Sequence, residues 1–407
     1  MADCGPDDDR AYSPSRPCGE RSNAAVSRTH DTSVEAAGLY VHIPFCRSKC
    51  RYCGFYSVPT AGRDTGPLVC ALLRELERYE GVDFRTAYIG GGSPSALPVD
   101  QLVGLARRIR ERCPRVREYT VECNPGQADA GLLAGLRQAG VNRLSFGAQS
   151  FRAEELRLLG RGHSVEDIDR SVNLAKQAGF DNLSLDLIFA IPGSTRGDWQ
   201  YSVESAIDLN VPHLSAYSLS FETGTVFDAW RKAGRLCPVD EELDRAMYEW
   251  AVERLECAGL DQYEISNFAR PGFECLHNLG YWANRPFVGI GPGAASYWRG
   301  RRTMNDADIE RYVRAVESGM EAPREVQPVN AEDAVCETAV LNLRMRSGID
   351  LAAFRQQTGH DALRTFAEPI RRYRDLGLIE VTDRCVRLTR PALPIADTIL
   401  CDFAALE

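Results

Sequence analysis

The stretch Tyr40-Val41-His42-Ile43-Pro44-Phe45-Cys46-Arg47-Ser48-Lys49-Cys50-Arg51-Tyr52-Cys53 decides how the rest of the chain is read. An apolar, strand-like run delivers three cysteines within eight residues, spaced Cys46-x3-Cys50-x2-Cys53. Thiolates hold iron–sulfur clusters, and a cubane has four irons to satisfy. Three ligands crowded into one loop bind three corners and leave the fourth iron open to a small chelate. The amino and carboxylate groups of S-adenosylmethionine suit that position. One electron from the cluster would cleave the sulfonium, so the radical would come from the cofactor and not from a side chain. A structural zinc site needs four ligands, often as two Cys-x2-Cys pairs, and no second pair lies nearby. His42 or His277 could still complete a Cys3His set. A disulfide fits poorly with a chain that shows no secretory leader.

The composition describes a globular protein. The 407 residues are 44% hydrophobic, enough for two or three domains or for one large barrel with an appendage. The 48 basic and 57 acidic residues leave a net charge of −9, which argues against nonspecific nucleic-acid binding. Lys49, Lys176 and Lys232 are the only lysines, so nearly all the positive charge is arginine. Apolar runs are strand-length, and no transmembrane helix is expected. Residues 1–35 are rich in Asp, Ser, Arg, Pro and Gly, lack hydrophobic periodicity, and are expected to be disordered. Their acidic run Asp7-Asp8-Asp9 is unlike an acid-poor mitochondrial transit peptide, and a cytoplasmic protein is expected.

From Gly38 onward, short β-branched runs alternate with amphipathic stretches. Strands are expected at Leu39–Ile43, Ala87–Ile89, Tyr119–Glu122, Arg143–Phe146, Asn182–Ile188 and His213–Leu219, with helices at Pro67–Glu80, Val99–Arg112, Ala128–Ala139, Ser164–Ala178 and Gly197–Leu209. Such alternation means parallel strands with helices packed outside. Six units are too few for a closed eight-unit barrel. The expected fold is therefore α/β, a partial (β/α)6 TIM-like barrel over residues 36–225, with a doubly wound sheet as the alternative. Residues 226–329 read as an extension of the barrel, and 330–407 as a small C-terminal α+β domain of winged-helix type. The net negative charge argues against reading that domain as a DNA binder.

In either architecture ligands bind beyond the carboxyl ends of the strands. The first strand leads into the cysteine loop, and the second ends in Gly90-Gly91-Gly92-Ser93. The third ends at Glu122, the fourth reaches Gln149, and the fifth contains Asp186. Glycines let the backbone approach a ligand. Glu122 could bind the methionine amine, and Asp186 or Gln149 the ribose hydroxyls. Arg161, in the loop Gly160-Arg161-Gly162-His163, could pair with the methionine carboxylate. Taken singly, Gly90–Gly92 reads as an ordinary turn and Glu122 as an ordinary helix cap; their joint placement at successive strand ends points to the cofactor site.

These motifs, with Leu144-Ser145-Phe146-Gly147-Ala148-Gln149-Ser150 and Gly289-Ile290-Gly291, resemble the oxygen-independent coproporphyrinogen III oxidase family of the radical S-adenosylmethionine superfamily over residues 38–400. The resemblance implies a [4Fe-4S] cluster on Cys46, Cys50 and Cys53. It implies S-adenosylmethionine contacts from Tyr40, Tyr52, Gly91, Gly92, Ser93, Glu122, Gln149, Arg161 and Asp186. Phe55 departs from the oxidase pattern, which carries a further cysteine there. Instead, His277-Asn278-Leu279-Gly280-Tyr281-Trp282 is similar to the HNxxYW signature of the family's heme chaperone branch. That likeness implies heme contacts from His277, Asn278, Tyr281 and Trp282, since histidine ligates heme iron and the aromatic rings offer flat apolar cover. Cys275 is a second candidate ligand. The ordinary reading is a turn capped by His277 and Asn278, with Tyr281 and Trp282 in the core. The implied function is transfer of heme to acceptor proteins, membrane-associated respiratory ones among them, by a monomer or dimer. Its rivals are radical decarboxylation of coproporphyrinogen III and a radical reaction on nucleic acid.

Overall fold

The computed structural model describes residues 36–405. The disorder expected for residues 1–35 lies outside that range. Strands β1 (Ala36–Ile43), β2 (Asp83–Gly91), β3 (Glu118–Cys123), β4 (Arg143–Gln149), β5 (Asn182–Phe189) and β6 (His213–Ser218) lie side by side in sequence order, every pair parallel. Between them run α1 (Gly66–Glu77), α2 (Val99–Arg112), α3 (Ala130–Gln138), α4 (Ala153–Leu159) with α5 (Val165–Gln177), and α6 (Arg196–Asp208). All six expected strands and all five expected helices are present. Short α4, which hydrophobic periodicity does not reveal, is added. Two of the helix starts are fixed by reciprocal capping boxes, Ser164 with Asp167 and Thr195 with Asp198.

After β6 come α7 (Val226–Lys232), α8 (Glu241–Cys257), β7 (Asp261–Glu264), β8 (Asn267–Ala269), α9 (Leu276–Trp282), β9 (Phe287–Ile290), β10 (Ala295–Trp298), β11 (Arg301–Asn305), α10 (Ile309–Glu317) and β12 (Arg324–Pro328). β9 joins the free side of β1 in parallel, a seventh parallel strand arriving late in sequence. The sheet order is β12-β11-β10-β9-β1-β2-β3-β4-β5-β6-β8-β7, so the barrel stays open, with β12 and β7 as its edges. At the C-terminal end, α11 (Ala331–Leu343) and shorter helices pack with a three-stranded antiparallel sheet built on Ile379–Val381 and Cys385–Leu388. Among the described residues, no helix is long and apolar enough to cross a membrane.

Alternation along the strands separates two environments. Leu39, Val41, Ile43, Ala87, Ile89, Val121, Leu144, Phe146, Leu185 and Leu214 share one core with helix residues such as Leu72, Leu105, Leu133 and Val172. The opposite face carries Tyr40, His42, Thr86, Tyr88, Glu118, Thr120, Glu122, Arg143, Ser145, Ser184, Asp186, His213 and Ser215. An eight-unit barrel usually fills its interior with branched apolar side chains. This interior is polar, and Tyr40, Tyr88, Glu122 and Asp186 keep accessible surface inside it. It is a lined lumen, not a second apolar core.

Candidate cofactor site

At the carboxyl rim, β1 runs through Pro44 into the cysteine loop. A two-residue parallel pairing of Phe45–Cys46 with Val58–Pro59 closes that loop. Its middle is clamped by Arg51. The Arg51 N–H donates to Leu159 O at 3.0 Å, and Nη1 donates to Arg157 O at 3.0 Å and Leu158 O at 3.1 Å. These are carbonyls at the end of α4, where a helix leaves acceptors unpaired. The guanidinium also lies over the Trp230 ring, and Arg51 O accepts from the N–H of Phe227 at 3.0 Å. Lys49 Nζ donates to Phe55 O at 3.2 Å, and the Phe55 ring projects outward, 72% exposed.

The glycine turn after β2 lies directly on the cysteine strand. Gly92 N donates to Ile43 O at 2.8 Å and Ser93 N to Phe45 O at 2.7 Å. A Cβ on Gly92 would stand 2.6 Å from Phe45 O. The Ser93 hydroxyl is committed inward, receiving Asn124 Nδ2 at 3.0 Å and donating to Gln127 Oε1 at 3.1 Å. Asn124 Oδ1 in turn accepts from Arg161 Nη2 at 2.5 Å, which also reaches Gly147 O at 2.7 Å. Arg161 Nη1 approaches Cys50 Sγ at 3.3 Å, while its Nε is buried without a partner. Gln149, at φ +69°, lies with its amide beside Gly147. Tyr52 packs near Phe227, within the electrostatic reach of Arg161, Cys50, Cys53 and Asp186.

Below the rim, Glu122 accepts from Tyr88 OH at 2.7 Å and from Gly91 N at 3.2 Å. Enclosure in the lumen pushes its carboxyl up to about 7, opposed by the Tyr88 hydrogen bond and reinforced by the Asp186 charge. Asp186 is raised by burial too, opposed by bonds from Ser215 and Ser145. Tyr40 lies one layer down, its hydroxyl on His42 Nδ1 at 3.0 Å.

The HNxxYW residues sit at the other end of the barrel. Glu118, at the start of β3, accepts from the backbone N–H groups of Leu276 and His277 at 2.8 and 2.9 Å and caps α9. His277 is 3% exposed, with Nδ1 on Thr86 Oγ1 and Nε2 on Tyr281 OH, both at 2.8 Å. Burial lowers its pKa to about 3, and the nearby Arg143 charge adds to the shift, so the ring stays neutral. Both nitrogens of the imidazole read as a heme contact are hydrogen-bonded in the barrel floor. Tyr281 packs edge-on against Phe287, and Asn278 is half-buried on the same helix. Trp282 faces the C-terminal part, under the Arg344 guanidinium at 4.7 Å, and its carbonyl accepts from Asn342. The cleft beside His277 and Tyr281 is about 80 Å³, against roughly 300–1,000 Å³ for small-molecule sites. Burial pushes the Cys275 thiol up to about 12.

The donor set favours a cluster over zinc. Among the described residues, no three His, Cys, Asp or Glu side chains converge on one ion position. A cubane spreads its thiolates over separate irons and needs no such convergence. His42 is held by Tyr40 and by Tyr56 O, and His277 stands at the opposite end, so neither completes a Cys3His set.

Residues 40–206 match the Radical SAM superfamily, and residues 329–395 match the HemN C-terminal domain. The chain is 35% identical over 371 residues to the heme chaperone HemW of Bacillus subtilis (strain 168), covering 89% of this chain and 98% of that protein. It is 37% identical over 282 residues to the HemW of Escherichia coli (strain K12), covering 67% and 72%. The chain belongs to the HemW family of radical SAM proteins. Among solved structures, its backbone is similar to coproporphyrinogen III oxidase (HemN) from Escherichia coli, with a TM-score of 0.77 at 24% identity over 91% of this chain and 90% of that one. That last likeness is one of fold.

In this HemW-family chain, sequence reasoning passed over Arg51, Tyr88, Asn124 and Ser145, which hold the residues it selected. A signal for the strand-borne ones was available. Strands of a parallel sheet covered on both faces read as unbroken apolar runs. Here Tyr40/His42, Thr86/Tyr88, Glu118/Thr120/Glu122 and Arg143/Ser145 alternate with apolar residues, which marks a polar lumen.

Proposed function

We propose that the protein is a heme chaperone that carries a [4Fe-4S] cluster and S-adenosylmethionine and transfers heme to acceptor proteins. The observation that carries this reading is the seating of the Gly91–Gly92 turn and Arg161 on the three-cysteine loop above a polar lumen, in a chain whose relatives are named heme chaperones. Cys46, Cys50 and Cys53 would hold the cluster. Glu122 and the Gly91–Gly92 backbone would receive the methionine amine, Arg161 with its unpartnered Nε the carboxylate, and Gln149 or Asp186 the ribose. When bound, the pair supplies one-electron chemistry at the sulfonium. Arg51 and Lys49 would keep the loop ordered. Heme enters as cargo. Iron ligation by His277 would require breaking its bond to Thr86 or to Tyr281. Residues 36–225 would form the core, 226–329 its extension and 330–407 the C-terminal domain. A cytoplasmic location and acceptors among membrane-associated respiratory proteins belong to the same proposal.

The second reading, coproporphyrinogen III decarboxylation, rests on the fold likeness to that oxidase. Against it, Phe55 turns its ring to solvent where the oxidase pattern has a cysteine. Anaerobic reconstitution, with iron and sulfide counted, a heme titration and a decarboxylation assay run in parallel, separates the two. Cys46→Ala, Cys50→Ala and Cys53→Ala should each lose the cluster. Wild type should bind heme and release no carbon dioxide. His277→Ala should leave the Soret maximum of the heme-loaded protein in place. Robust decarboxylation with Phe55 intact would give the oxidase reading instead.

A further inference from the structure

One line of contacts crosses the lumen from floor to rim. His277 is fixed by Thr86, Tyr281 and Glu118, and it fits because Gly38 has no side chain: a Cβ there would stand 3.1 Å from His277 Cε1. Its ring stacks on Tyr88, with centroids 5.2 Å apart and planes 27° from parallel. The Tyr88 hydroxyl donates to Glu122 Oε1, and Glu122 Oε2 accepts from the Gly91 N–H. Tyr88 thus has the imidazole against its ring and the carboxylate at its hydroxyl. Without that ring it could settle into the floor, away from Glu122.

We infer that His277 is a positioning residue for S-adenosylmethionine: it holds Tyr88, and Tyr88 holds Glu122 at the glycine turn where the methionine amine binds. This rests on the radical S-adenosylmethionine reading above and gives the HNxxYW helix a role in that site, distinct from carrying heme. The Glu122 carboxyl is influenced by Tyr88 from β2, Asp186 from β5, Arg143 from β4, Tyr40 from β1 and Tyr281 from α9. Tyr88 donates a hydrogen bond that favours the ionised form, so its loss raises the Glu122 pKa further.

The test is equilibrium dialysis of S-adenosylmethionine against the reconstituted full-length protein, with iron content and a melting curve for each variant. Tyr88→Phe keeps the stacked ring and deletes only the donor. It should weaken binding about tenfold near pH 7, the scale of a hydrogen bond to a charged group, and less at about pH 8.5, where Glu122 regains its charge. His277→Ala should weaken binding with iron content unchanged, and His277→Phe, which restores a stacking face, should recover most of it. Unchanged affinity in Tyr88→Phe or His277→Ala overturns the inference. So does a loss that His277→Phe fails to recover, and so does a Tyr88→Phe loss that is equal at the two pH values. Where His277→Ala does not fold, His277→Gln, which keeps a polar side chain and removes the stacked ring, takes its place with the same expected loss and the same overturning result. A wild type that holds its cluster and binds no S-adenosylmethionine counts against the cofactor reading beneath.

Discussion

Gly92 is the residue at which the cysteine strand and the glycine turn touch, and it has no room for a side chain. A methyl group there meets Phe45 O at 2.6 Å and Ile43 O at 3.0 Å, both backbone atoms, so the strand itself must move. Gly92→Ala should break the pairing of Ser93 N with Phe45 O and cost roughly 1–3 kcal/mol, read from the denaturant midpoint. Gly104→Ala is the control. That glycine lies inside α2 with nothing within 4 Å of a built Cβ, and its replacement should gain roughly 0.5–1 kcal/mol. In the sequence, Gly90–Gly92 read as having one job, close approach of a ligand. The geometry adds a second, close approach of the neighbouring strand. Type and spacing reveal that a side chain is excluded, but not what excludes it. His277 shows the same limit more sharply. Its chemistry was legible, but which end of the barrel it faces depends on the return of the chain after β8.

The short helix α4 is what makes the cysteine loop a defined object. It ends at Gly160 in the left-handed conformation, and its last carbonyls are taken by Arg51. Arg51→Ala removes two charge-assisted hydrogen bonds and the stacking on Trp230 together. The loop should then hold its cluster less firmly, and anaerobically reconstituted Arg51→Ala should lose iron to a chelator at least several-fold faster than wild type. An unchanged loss rate would mean that the loop is ordered by its thiolates alone. Strands β1 to β6 were legible because each carries an apolar alternate set facing long amphipathic helices. Helix α4 and strand β9 are among the elements that were not. Helix α4 is only seven residues long, too short to show a period, and β9 is a four-residue strand placed outside the strand–helix alternation. Both acquire their place from contacts distant in sequence: α4 from Arg51, and β9 from its register with Gly38–Val41.

Across the whole molecule, titratable side chains buried in the polar lumen and outside it make stability depend on protonation. Burial lowers the pKa of His42, His163, His213 and His277, while Glu75, Glu122, Asp186 and Glu264 are raised by it, so the two sets oppose one another in the total pH profile. A single substitution isolates one member. Burial lowers the folded His277 pKa to about 3, against an ordinary value of 6.5. Between these values the unfolded chain binds a proton that the folded chain excludes. The stabilising contribution is therefore complete above the unfolded value and falls as pH drops toward the folded one. The stability of wild type minus His277→Gln should fall by about 1.4 kcal/mol per pH unit on acidification from about pH 6 to about pH 4, measured by urea unfolding. A flat difference would mean that the imidazole is protonated in the fold. The scarcity of lysine has a practical result. Lys176 lies on the Leu209 carbonyl and Lys232 on Asp228, both far in sequence from the cysteine loop, whereas Lys49 is tethered to Phe55 O inside it. Amine acylation followed by mass spectrometry therefore gives this protein a built-in footprint: the yield at Lys49, normalised to the other two, reports how tightly its loop is closed.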